Sequence, residues 1–224
     1  MPRNKKNTSE YGNVFVFVLL GIVLFAALSF TLSRGMRNET TGKLTGQKAV
    51  LAATDILDYS EKIARAVNRL RDKGLSENDI SFDQSFVAGY AAGTDETKIF
   101  SPSGGAVSWK SPQTDVNDGS EWVYTGANCI TDSGTGGTGC DSDGSTTEEL
   151  LAVLPNLTDT VCEELNKQLK ITGILANTGS GISVTQFAGS FADGKEITLA
   201  GGPLSSACFS YGGNNFFYTV LIAR

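Results

Sequence analysis

Three serines, Ser103, Ser108 and Ser111, stand close in sequence to Lys110, the pairing from which a serine nucleophile with a lysine base is built. Their spacing fixes no nucleophile against the amine, and Ser101-Pro102-Ser103-Gly104-Gly105 reads as a turn. No Gly-Lys-Ser/Thr follows that turn, so it is not a phosphate loop. The chain has no histidine, which removes Ser-His-Asp and Cys-His catalysis and the imidazole general base. Asp141, Asp143 and Gly144 suggest a calcium loop. With Gly144 as the turn glycine, however, the first and twelfth ligand positions fall on Gly139 and Leu150, where an EF-hand needs oxygen donors. The acid pairs Asp141/Asp143 and Glu148/Glu149 sit in no recognisable hydrolase constellation. Trp109, Trp122, Tyr124 and the aromatics near the C-terminus would line a ligand groove or fill a core, and aromatics in short strands more often fill a core. The sequence therefore points to no catalytic residue, no metal, no cofactor and no enzyme.

Cys129, Cys140, Cys162 and Cys208 are even in number, and no Cys-x-x-Cys occurs, so zinc with its usual spacing is excluded. Disulfides are the default, and they imply an oxidising compartment. Of the three connectivities open to four cysteines, Cys129–Cys140 with Cys162–Cys208 is preferred. The first closes a short glycine-rich loop and the second ties a helix to the C-terminal strands. The formal charge of −6 shows no basic patch beyond the N-terminal segment, so nucleic acid is not an expected partner.

The elements that carry these residues begin with Val14–Leu32, an uncharged apolar run preceded by Arg3, Lys5 and Lys6. About 20 apolar residues cross a hydrocarbon core about 30 Å thick. The run predicts one membrane crossing. The competing reading is a cleavable secretory signal with Ala27-Leu28-Ser29 as its processing site. Gly35, Gly42 and Gly46 soften the stretch that follows. From Gln47 to Lys73 apolar residues return at helical spacing, including Ile56, Ile63, Val67 and Leu70. Asp58–Lys62 and Glu61–Arg65 supply acid-before-base pairs on the other face.

The predicted fold is α+β: a long N-terminal helix, half transmembrane and half amphipathic, then a small antiparallel β-sheet body with short helices and disulfides. Its parts are a charged cytoplasmic leader (1–12), a transmembrane and stalk helix (13–74) and an extracytoplasmic β-rich domain (75–224). The expected location is the inner (cytoplasmic) membrane, crossed once, with the body periplasmic or extracellular. Short strands are predicted at Lys98–Phe100, Ala106–Trp109, Trp122–Thr125, Ile182–Phe187, Glu196–Leu199, Ala207–Tyr211 and Asn215–Ala223. Gly212-Gly213-Asn214 turns the last two into a hairpin, and the final strand belongs at the centre of a sheet. Thr146-x-x-Glu149 predicts a helix ended by Pro155, and Thr160-x-x-Glu163 a second helix carrying Cys162.

A basic leader, a glycine, an apolar helix passing into an amphipathic one and a β-rich disulfide-bearing body resemble the type IV pilin and pseudopilin class. The resemblance implies cleavage between Gly12 and Asn13 by a prepilin peptidase. It also implies homo- or hetero-oligomeric assembly through the N-terminal helix, for which Ile56, Ile63, Val67 and Leu70 form the expected face. Phe17 stands where pilins carry a glutamate, at mature position five. Cys208, near the last strands, resembles the cysteine of the pilin C-terminal disulfide loop. The function expected is that of a membrane-anchored structural or assembly subunit of the bacterial envelope. The alternative is a single-pass tethered binding module with no filament role.

Overall fold

The computed structural model describes residues 11–131, 140, 148–192 and 194–224, with side chains from residue 16 and not for 27–45. Helix α1 is Tyr11–Asp72. The chain forms two compact units, Met1–Gln47 and Lys48–Arg224, and the division falls inside α1.

The second unit is built around a six-stranded sheet: β1 (Val123–Ile130), β2 (Glu149–Leu157), β3 (Leu175–Ala176), β4 (Lys195–Ile197), β5 (Ser206–Tyr211) and β6 (Asn214–Ile222). Their order across the sheet is β3-β5-β6-β2-β1-β4. The β1–β2, β2–β6 and β5–β6 pairs are antiparallel, whereas β1–β4 and β3–β5 are parallel. A short 3-10 turn at Glu77–Asp79 follows α1, and α2 (Asp159–Gln168) connects β2 to β3.

The sheet is buried on both faces, and the two-residue period of its strands sorts the side chains between two cores. Leu150, Ala152 and Leu154 of β2 join Phe217 and Leu221 of β6 beneath Ile56, Ile63, Val67 and Leu70 of α1. Leu151 and Val153 face the other way, with Tyr218, Phe209 and Ile197. Between β5 and β6, Gly212 and Gly213 both take positive φ, +59° and +85°. That is the two-residue turn whose twist suits a hairpin.

Several expectations are corrected here. No helix among the described residues is long and apolar enough to cross a membrane, so a transmembrane half of α1 and a single-pass inner-membrane location are not supported. A single stalk helix is not observed either, because from Lys48 onward α1 is a core element of the body. The sheet is mixed, not antiparallel, because two short strands from the connection between α2 and β5 add parallel at its edges.

The helix expected up to Pro155 is instead strand β2. Glu-Leu-Leu-Ala-Val-Leu is apolar enough for either state, and pairing on both sides, with β1 and β6, decides for the strand. Pro155 sits beside a register irregularity, where a missing N–H is tolerated. Lys98–Phe100, Ala106–Trp109 and Ile182–Phe187 form no strands. Lys98 makes only one bridge, to Ser81, and Ala106 takes a φ of +54°. Helix α2 starts one residue before Thr160, with Thr158 at its cap position.

Candidate functional site

The residues with potential chemistry are kept apart by the fold. Lys110 donates to Asp55 Oδ2 at 2.7 Å, so its amine is committed to an ion pair and no serine is held against it. Glu148 and Glu149 are both buried, but neighbours in an extended chain point to opposite sides. Glu149 Oε2 accepts the Ile130 N–H at 2.9 Å, a structural use of the carboxylate. Asp141, Asp143 and Gly144 lie outside the described residues. Among the described residues no group of His, Cys, Asp or Glu is placed to hold a metal ion. Cys129 is bonded to Cys140 and Cys162 to Cys208, the connectivity preferred from sequence.

Ile56, Ile63, Val67 and Leu70, the expected assembly face, are at most 5% exposed and packed in the chain's own core. The same periodicity serves an intramolecular partner, the sheet. Gly12 and Asn13 fall in the first turn of α1. Large apolar side chains remain uncovered elsewhere. From Val16 to Phe25 each is 48–74% exposed, Phe17 at 68% among them.

A second surface lies where the segment 101–113 crosses α1. Asp55 accepts from Lys110 Nζ and from Gln113 Nε2. The Lys110 hydrogen bond holds the Asp55 carboxyl below its usual range. Tyr59 Oη accepts the Lys110 N–H at 3.1 Å, and burial pushes this phenol upward, so it stays neutral. Further along the helix Arg69 Nη1 donates to the Gly105 carbonyl at 2.8 Å, and Lys73 Nζ to those of Ser103 and Gly104. Four positions of one helix face thus clasp the crossing segment at two ends.

Between the clasps the two walls enclose a cleft of about 460 Å³, lined by Tyr59, Lys62, Arg65, Arg69, Trp109 and Lys110 among others, none of them acidic. The crossing wall is closely packed from behind at Gly104 and Gly105. A Cβ on Gly104 would lie 2.1 Å from the Lys98 carbonyl oxygen, and one on Gly105 would lie 2.4 Å from that of Ile99. Trp109 is half-buried, with Phe86 and Phe100 against it at ring separations of 5.9 and 5.0 Å. Trp122 and Tyr124 are core residues.

Sequence reading missed this cleft. Its signal was the row Lys62, Arg65, Arg69, of which Lys62 and Arg65 were read as the basic halves of helix-stabilising pairs and Arg69 was not singled out. The Arg65–Glu61 pair forms at 3.1 Å, but no ion pair joins Asp58 to Lys62 among the described residues. No protein-family model, curated protein or solved structure matches the chain.

Proposed function

We propose that the chain is a non-enzymatic assembly subunit of the pilin-like kind. Its N-terminal helical segment packs against like segments of other copies, and its β-rich body is the displayed part. The observation that carries this reading is the run of exposed apolar side chains from Val16 to Phe25. A helix apolar on every side is covered in its working state, and an exposed patch of this kind marks an interaction site. Gly21 has open space beside its Cα, a flat place for a second helix to approach closely. The assembly contact is thereby assigned to the helix before Gln47, not to Ile56, Ile63, Val67 and Leu70. Cleavage between Gly12 and Asn13 by a prepilin-type peptidase belongs to the same reading.

The test is cross-linking of single cysteines placed in turn from Val18 to Phe25 in the full chain. Covalent dimers recurring every three to four positions are expected, as one helix face meets its copy. Uniform cross-linking at every position, or none, would sink the proposal. A second reading, a binding module, is favoured by the cleft between α1 and residues 101–113.

A further inference from the structure

We infer that this cleft receives an acidic peptide segment of a partner protein, whose carboxylates lie along the row Lys62, Arg65 and Arg69. The inference stands apart from the assembly reading, because it uses none of the residues from Val16 to Phe25.

The first ground is electrostatic. Lys62 and Arg65 are three residues apart on α1, and Arg65 and Arg69 are four apart. Like charges at these spacings repel on a helix surface. Lys110 adds a fourth positive charge on the facing wall. The chain as a whole carries −6, yet the lining of this cleft holds four cations and no carboxylate, the nearest acids being Asp55 on Lys110 and Glu61 on Arg65. Lys110 is compensated by Asp55, so the uncompensated charge lies along α1. Arg65 holds Glu61 in an exposed pair, of a kind that contributes little. Lys62 has no ion-pair partner among the described residues. Arg69 spends Nη1 on Gly105, and a guanidinium carries five N–H donors in a fork that suits carboxylates.

The second ground is preorganisation. The clasps at Asp55, Tyr59, Arg69 and Lys73 fix the far wall before any ligand arrives, and Gly104 and Gly105 lock it from behind. A preformed wall lowers the ordering cost of binding.

The spacing and the shape of the walls select the ligand. Arg65 and Arg69 are separated by about 6 Å along the helix axis. Side chains on one face of an extended peptide recur about every 6.8 Å, so acids at alternate positions meet successive arginines. A glycan would need an open aromatic face to stack on. Tyr59 is 5% exposed, and Trp109 is hemmed by Phe86 and Phe100.

The probe is a fluorescein-labelled peptide of alternating glutamate and glycine, titrated with the full chain and read by anisotropy. Saturable binding is expected. It should weaken about tenfold or more in the Lys62→Glu, Arg65→Glu double variant, and also on raising the salt to about 0.5 M. Both positions are solvent-exposed, and matching circular dichroism melts check that the fold is kept. Lys62→Gln with Arg65→Gln serves if the reversal variant unfolds, with a smaller loss expected. Absence of saturable binding overturns the inference, as does equal affinity in wild type and variant. Tighter binding of polygalacturonate than of the peptide also overturns it, assigning the cleft to a polyanionic glycan.

Discussion

Asn166 of α2 is fully buried, and its amide reproduces what a neighbouring strand would offer β5. Nδ2 donates to the Cys208 carbonyl at 2.7 Å, and Oδ1 accepts the Cys208 N–H at 2.8 Å. Nδ2 also reaches the Gly173 carbonyl at 2.7 Å. Leucine at this position keeps the volume and orphans the two buried Cys208 groups, each at about 1–3 kcal/mol, whereas the carbonyl of exposed Gly173 can turn to water. Asn166→Leu should therefore lower the unfolding free energy by about 2 kcal/mol or more in urea titration. Asp55 makes a prediction of different sign in pH. Its carboxyl titrates below the usual 3.8 because Lys110 hydrogen-bonds the ionised form. A lowered folded pKa gives stability that is present above the unfolded value and lost as the pH falls through the folded one. The melting-temperature gap between wild type and Asp55→Asn should be full above about pH 5 and close by about pH 2. A gap that persists in acid would show that the carboxylate is not the source.

Among the elements, those legible in the sequence were those whose local signal and tertiary setting agree. Phe216 to Ile222 is β-prone, follows a Gly-Gly turn, and sits at the centre of the sheet. Helix α2 followed from the Thr160-x-x-Glu163 spacing and the face carrying Val161, Cys162 and Leu165, although the helix starts at Asp159 with Thr158 at its cap position. Strand β2 was not legible, because its run fits a helix until β1 and β6 are placed beside it. The cleft was not legible because it arises where residues 101–113 meet a helix 30 to 58 positions away, a pairing that no local period encodes. The amphipathic stretch of α1 was recognised, but its partner was not. That difference is measurable. If Ile63 and Leu70 are core residues, Ile63→Ala and Leu70→Ala should each cost about 2–5 kcal/mol in the dissociated chain. Residues serving only subunit contacts would leave that stability unchanged. The bond between Cys162 and Cys208 joins α2 to β5 across 46 residues. Replacing both by serine should cost about 2–5 kcal/mol, read by chemical denaturation with the other disulfide intact.

At the scale of the whole second unit, β6 joins the two halves of the sheet, lying between β5 and β2 and contributing to both cores. Its ends are closed differently. The two outermost strands, β3 and β4, are two and three residues long, and the segments that continue them meet in a bridge between Asn177 and Leu199, so no long open edge is left to template a foreign strand. Deleting 214–224 should abolish cooperative unfolding of the second unit and protection of β2 amides in hydrogen exchange, not merely lower its melting temperature. The position of β6 in the chain also sets a timetable for biosynthesis. Ile56, Ile63, Val67 and Leu70 emerge from the ribosome long before the strand that joins their covering layer. Throughout that interval the nascent chain carries a naked greasy stripe that only a chaperone or a passing neighbour can shield. Slowing translation between α1 and β6 should therefore raise aggregation, although the finished molecule is the same.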